Sequence, residues 1–402
     1  METYKENSRA GMLLLFAAIA TKPLYLWKSG YPQISDMLIV LFALMIILES
    51  PKLNLSVIQS KWMTVFIFTI IYQVIVNTVC EVIANYKGFE GTNINYSLYY
   101  VFNFLVSLVV FMAYNTYGYE KLEKLYINAT IASCIICVIG VIINYKSVGR
   151  QTGFFNNPNQ LGYYSIIVLT VMLFFKNSVP KVWYVIIIVI SLVLNALSLS
   201  KASILAAVIL LVVNSLISNT ISIRGLAKLI VQMVIILVAV YMIMFSSIPI
   251  IQNNRVIQSL RYRIVNMSNE SDANMGTGRG YDRIEEVGTD IITGVGEGFY
   301  KRFEIMYDHE IHSMYASILV CYGVFGALGY CYLLYVPLRG RRKPIIDIKY
   351  LALFSGVLLY SFTHNSIRNT LLWVLLSMIM VRDLDMELHT EGNNESDGLI
   401  EQ

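Results

Sequence analysis

The chain has 402 residues, of which 56% are hydrophobic and only 14% charged, with a formal net charge of +4. Soluble domains carry roughly 25% charged residues, and a mean hydropathy of +0.61 is more apolar side chain than a soluble core of this size can hide. The composition therefore excludes a secreted, cytosolic or disordered protein and places the chain in a lipid bilayer, and the charge is too small and too scattered for a nucleic-acid partner.

A spanning helix takes ~20 mainly apolar residues, and about twelve such runs follow one another. They start near Ala10, Ile34, Trp62, Tyr96, Tyr126, Gln160, Val182, Ala202, Leu226, His312, Ile345 and Ser366. The predicted fold class is an all-α polytopic membrane protein. Residues 1–250 carry transmembrane helices 1–9, 251–311 a large extracytoplasmic loop, 312–382 helices 10–12, and 383–402 an acidic tail that reads as disordered and cytoplasmic. The first run is broken by Lys22-Pro23; no small-residue cleavage site follows, and Trp27 and Lys28 read as an interfacial anchor. Cys80, Cys134, Cys137, Cys321 and Cys331 lie in or near apolar segments, which speaks against a disulfide framework. Cys134 and Cys137 are spaced like a redox pair but inside a span read as small packing residues.

Lysine and arginine set the orientation. With the N-terminus inside, alternation gives the cytoplasm Arg9, Lys52, Lys61, Lys121, Lys124, Lys176, Lys181, Arg224 and the run Arg339, Arg341, Arg342, Lys343. The short outer loops receive only Lys22, Lys28, Lys87, Lys146, Arg150, Lys201 and Arg368. Both termini are thus expected in the cytoplasm. The long loop falls outside. Within it, Arg255–Val265 reads as an amphipathic helix on the membrane surface, Ser268–Gly278 as a polar link, and Ile284, Val287 and Ile291 as one face of a short helix ended by Gly294.

Chemistry concentrates at the outer boundaries. His312-Ser313 stands where the chain re-enters the bilayer and is followed by Gly323 and Gly326. A neutral imidazole there can accept a proton from a sugar hydroxyl; it is equally an interfacial histidine followed by small packing residues. Arg279 and Arg283 precede the short helix, and Gly294 and Gly296 follow it. Arginine forks suit phosphate, and alternate glycines let backbone approach a ligand, although each arginine also has acidic neighbours in Asp282, Glu285 and Glu286. Arg150, in the loop before Pro158-Asn159, departs from the positive-inside trend and wants an anionic partner. Lys201, in a tight outer hairpin, either snorkels or adds charge to the same site. His309, Glu310 and His312 do not have the His-Glu-x-x-His spacing, so no metal is assigned, and His364 and His389 stand far off in sequence.

From Arg150 to Gly326 these motifs resemble the O-antigen ligase and polymerase family of bacterial membranes. The run His312-Ser313…Gly323…Gly326 is similar to the ligase motif, the stretch Gly278-Arg279…Gly294-Val295-Gly296 to the family's large outer loop, and Arg150…Gly153-Phe154…Asn157-Pro158-Asn159 to the segment before its mid-chain span. Ser200-Lys201 stands where the family commonly has Ser-Arg, which costs the fork. The resemblance implies an architecture related to GT-C-like, lipid-linked glycosyltransferases and a metal-independent enzyme without a cofactor. The substrate it implies is a glycan on undecaprenyl pyrophosphate at the outer face of the cytoplasmic membrane. Arg150, Arg279, Arg283 and Lys201 would then hold the pyrophosphate and His312 the acceptor hydroxyl. Partners would be membrane lipids and the pathway's flippase and chain-length regulator. Polymerisation of repeat units into a surface polysaccharide is the leading expectation, with ligase-type transfer of the finished glycan to another acceptor as the alternative. A secondary transporter or lipid-linked oligosaccharide flippase is the alternative of another class, against which stands the absence of a visible repeat.

Overall fold

A computed structural model describes residues 2–49, 60–88, 95–147, 149–218, 278–301, 304–305, 310–339 and 346–400, with a few more between 249 and 262. In chain order the first helices are α1 (Glu2–Ala20), α2 (Ile34–Glu49), α3 (Lys61–Tyr86), α4 (Asn95–Tyr117), α5 (Tyr119–Ile143), α6 (Pro158–Phe174), α7 (Lys181–Ser198) and α8 (Lys201–Ser218). Then come a single turn α9 (Arg283–Glu286), a 3-10 turn Gly288–Ile292, and a small antiparallel hairpin β1 (Phe299–Lys301) and β2 (Glu304–Ile305). The chain ends in α10 (Met314–Arg339), α11 (Ile348–Tyr360) and α12 (Thr370–Ile400). The span expected from Leu226 lies outside the described residues, as does most of the surface helix Arg255–Val265. α12 runs on through most of the acidic stretch after Arg382.

Helix starts follow local capping chemistry. Ser60 accepts from the Met63 N–H at the head of α3, Asn157 caps α6 with Pro158 in its first turn, and Asp347 accepts from Lys349 at the head of α11. Ser313 does the same for α10, accepting from Ala316 N at 3.3 Å.

The molecule is an all-α, multi-pass protein rich in membrane helices. Among the described residues, α3, α4, α5, α7 and α10 are long and apolar enough to cross a bilayer, and shorter apolar helices accompany them at Arg9–Ala20, Ile34–Leu48, Pro158–Phe174, Lys201–Ile217 and Ile348–Tyr360. Their faces are arranged for lipid. On α3 the exposed side chains are Phe68, Ile71, Ile75, Val79 and Val82, while Thr69, Gln73 and Asn77 are buried. In water that arrangement would be inverted; in hydrocarbon, polar groups gain by bonding between helices. Gln73 Nε2 donates to the Tyr330 hydroxyl at 2.6 Å, Asn77 Nδ2 to Ser97 Oγ at 2.9 Å, and Asn195 Nδ2 to Ser165 Oγ at 2.9 Å. Between these networks lies an aromatic core in which Trp62, Phe66, Phe111 and Trp373 pack ring against ring.

One helix is broken. Gly323 in α10 has φ 63° and ψ −164°. A break frees carbonyls of the preceding turn, and the large loop takes two of them: Val295 N donates to Val320 O at 3.0 Å and Gly296 N to Cys321 O at 2.9 Å. The approach needs glycine on both sides. A Cβ on Gly323 would lie 2.5 Å from Ile292 O, and one on Gly294 would strike the Cys321 carbonyl. Gly326 is crossed by the Tyr322 side chain, and Gly296 packs on Cys80. At Gly294 and Gly323 the close backbone approach is between the loop and α10. The expected short helix is shorter than its pattern suggested, one α-turn and a 3-10 turn, but Val287 is buried and Ile284 and Ile291 pack on the core as the spacing requires. Gly294, at φ 83°, does end it, donating to Asp290 O at 2.7 Å.

Candidate functional site

Residues 21–33, 144–147, 149–157, 199–200, 278–301, 310–313 and 361–369 meet at one end of the bundle. Asn156 Nδ2 donates to Trp27 O at 2.8 Å, and the Tyr99 hydroxyl to Gly30 O at 2.9 Å. Tyr281 is the main latch. Its hydroxyl donates to Phe362 O and accepts from Ser313 Oγ, each at 2.7 Å, while Met314 N donates to Ser361 O at 3.0 Å. Gly280, at φ 78°, lets the chain lie against Ile311. These contacts bring the segment carrying Arg279, the segment carrying His312, and the loop after α11 into one place.

Arg150 arrives from another side. Its Nε donates to Ser198 O at 3.0 Å and its Nη2 to Asn159 Oδ1. Asn159 O in turn accepts from the Tyr360 hydroxyl at 2.9 Å. Tyr360 stacks on Tyr163 with centroids 5.0 Å apart, and His364 stacks on Tyr360 at 4.3 Å and 11°. Burial, then the charges of Arg279, His312 and Arg150, pull the His364 pKa from 6.5 down to about 3. Its Nδ1 lies 2.9 Å from Thr363 Oγ1, and its Nε2 is buried with no hydrogen-bond partner among the described residues. His312 itself is exposed.

A second polar centre shares the same loops. Glu297 is 4% exposed and accepts from the Tyr100 hydroxyl at 2.5 Å, the Tyr322 hydroxyl at 3.1 Å and Arg368 Nη2 at 2.6 Å. Its backbone N–H donates to Asn77 Oδ1 at 2.9 Å. Arg368 Nη1 also donates to Glu310 at 3.0 Å, and the guanidinium lies over the rings of Tyr96 and Tyr99 at 4.8 and 5.5 Å. The large loop is thus tied by charge to α4, α10 and the loop before α12.

Of the residues singled out from the sequence, Arg150, Arg279 and His312 stand on segments joined to the loop that bears His364, and their charges disfavour a proton on its ring. Arg283, which opens α9, and Lys201, which opens α8, are not among the charges acting on His364. Gly294 and Gly323 shape the docking of loop on helix, Gly296 packs on Cys80 of α3, and Gly326 lies beside Tyr322 of its own helix. His364, Tyr360, Glu297 and Arg368 were missed as site residues. The available signal was positional: alternation puts His364 and Arg368 on the side that carries Arg150 and His312. In the His309–Glu310–His312 cluster, His309 lies outside the described residues and Glu310 is paired with Arg368. Chemically, guanidiniums and an imidazole on joined loops are groups that suit an anion and a hydroxyl. Compared with known proteins, the chain matches no family model and no curated sequence.

Proposed function

We propose that the protein is a membrane glycosyltransferase. In this reading it joins undecaprenyl-pyrophosphate-linked repeat units into a surface polysaccharide on the outer face of the bacterial cytoplasmic membrane. The observation that carries the reading is that the loops bearing Arg150, Arg279, His312 and His364 are joined at one end of the bundle through Tyr281, Ser313, Asn159 and Tyr360. Concentrated negative charge develops on the pyrophosphate as it leaves. A preorganised donor in a partly dehydrated site is worth about 3 kcal/mol against such charge. An imidazole of the same site takes the proton that the acceptor hydroxyl must lose. The resemblance to the O-antigen ligase and polymerase family adds the lipid carrier, the GT-C-like arrangement of about twelve spans and the partnership with a flippase and a chain-length regulator. The cations stand at the loop end of the bundle and not midway along spans, which favours transfer at a surface over transport through the membrane. Polymerase is preferred to ligase because nothing in the chain identifies a specific large acceptor.

The test is reconstitution. Purified protein in vesicles carrying lipid-linked repeat units should yield a ladder of polymer. His312→Ala should cut the yield by roughly 10²–10⁴-fold with single units accumulating and abundance unchanged, and His309→Ala should be mild. A wild-type protein that leaves the repeat units unjoined, or passes the finished glycan only to a second acceptor, overturns the polymerase assignment.

A further inference from the structure

Residues 21–33 join α1 to α2, and the turn they make is built around one amide. Gln33 is 2% exposed. Its Oε1 accepts from Leu26 N at 2.9 Å and Trp27 N at 3.2 Å, and its Nε2 donates to Tyr31 O at 2.9 Å and Trp27 O at 3.2 Å. Lys22 Nζ donates to Asp36 Oδ1 at 2.7 Å and closes the base of the turn. Neighbouring segments add two more bonds: Trp27 O also accepts from Asn156, and Gly30 O from the Tyr99 hydroxyl. A loop in water has no need of such partners, because solvent bonds its peptide groups. A loop in a poorly hydrated layer does need them. The same loop leaves large apolar side chains uncovered: Leu26 is 62% exposed, Trp27 44% and Tyr31 66%.

The loop continues a surface suited to lipid. α2 exposes Met37, Val40, Leu41, Leu44 and Leu48 on one face and buries Ile39, Phe42, Ala43 and Ile46 on the other. Both flanking helices are short. At 1.5 Å per residue, the apolar parts Arg9–Ala20 and Ile34–Leu48 cover about 18 Å and about 22 Å, against ~30 Å of hydrocarbon. Glu49, Ser50 and Lys52 follow in the sequence, so α2 gains no apolar length at its far end. A bilayer meets a short apolar stretch by thinning and by taking in its flanking residues. We propose that residues 24–33 form a wedge seated in the interfacial layer of one leaflet, with bilayer phospholipid as its partner. Leu26, Trp27 and Tyr31 lie between headgroups and upper acyl chains, Lys28 reaches the phosphates, and the leaflet dips to meet them beside α1 and α2. Gln33 holds the wedge in shape and keeps its peptide groups bonded where water is scarce. The proposal does not depend on glycosyl transfer. It places a lowered headgroup plane next to the segment bearing Arg150, to which Asn156 ties the wedge.

The experiment reads tryptophan emission from the full-length protein in vesicles of phosphatidylcholine and phosphatidylglycerol. The chain has four tryptophans. Trp62 and Trp373 are buried, and Trp183→Phe removes the other exposed one, so the emission lost in a further Trp27→Phe variant belongs to Trp27. Phosphatidylcholine brominated near the top of its acyl chains should quench that emission. Bromine at the chain ends should quench it less, and aqueous iodide should leave it almost untouched. A second arm measures thermal midpoints. Leu26→Ser combined with Tyr31→Ser should lower the midpoint in vesicles but not in detergent micelles, whose thickness adapts to the protein. The drop should be larger in long-chain than in short-chain phosphatidylcholine, because a thicker bilayer draws the serines deeper. Iodide quenching of Trp27 without quenching by brominated lipid overturns the proposal. So does an equal drop in micelles and vesicles, or a drop indifferent to chain length. Trp27 shielded from both reagents means that a protein surface, such as a second copy of the chain, covers the loop, and overturns it as well.

Discussion

Arg279 has no hydrogen bond or ion pair to another described residue, yet its charge acts on both His364 and Tyr360. Arg150 is held differently, by Ser198 O and Asn159 Oδ1, so part of its fork is already spent on positioning. In the proposed reading Arg279 is therefore the guanidinium assigned to the pyrophosphate. Arg279→Lys keeps the charge and loses the fork. It should lower polymer yield by at least about tenfold, the equivalent of one charge-assisted hydrogen bond, at unchanged membrane abundance; near-normal yield would return Arg279 to an ordinary surface group. Arg150 and His312 could be singled out in the sequence because each stands at the edge of an apolar run on the side where cations are scarce, and Arg279 because it precedes a short periodic run and its glycines. His364 was illegible for a physical reason. Its neighbours come from separate loops, and the residues that join those loops, Tyr281, Ser313 and Asn159, look in sequence like ordinary caps and surface polars. Arg283 and Lys201, read from the sequence as further pyrophosphate ligands, open α9 and α8.

At the scale of elements, the broken α10 and the loop that docks on it act as one unit. Gly323 and Gly288 both have positive φ, but nothing lies within 4 Å of a Cβ built on Gly288, whereas on Gly323 it would meet the backbone of Ile292 and Gly294. Backbone atoms cannot swing aside as a flexible side chain does. Gly288→Ala should cost only the left-handed penalty of about 1–2 kcal/mol. Gly323→Ala should cost more than about 3 kcal/mol, because strain and overlap add and the Val295 and Gly296 hydrogen bonds to α10 are lost. Thermal midpoints in detergent check this, and equal shifts for the two variants would refute the docking role. Gly294 as a helix stop could be read from the sequence, since a glycine after a periodic run has one common use. The break at Gly323 could not, since a glycine inside an apolar run reads equally as a small residue for helix packing.

For the whole molecule, the loops bearing Lys22, Lys28, Lys146, Arg150 and Arg368 meet at a single end, joined through contacts such as Asn156 to Trp27 and Tyr360 to Asn159. If that end is extracytoplasmic, as the charge asymmetry indicates, thiols at Ser271→Cys and Ser396→Cys should react oppositely with an impermeant reagent on intact cells. Position 271 should label and 396 should not, in a background where exposed Cys331 is replaced; labelling of both, or of 396 alone, refutes the topology. The joint between loop and α10 also bears on how the chain is made. Gly323 stands about 14 Å into its helix at 1.5 Å per residue, where open carbonyls are costly in hydrocarbon. The N–H groups that satisfy Val320 and Cys321 belong to Val295 and Gly296, which leave the ribosome first. The interrupted helix is thus synthesised after its own splint, and it never has to enter the bilayer before the segment that makes its interruption tolerable exists.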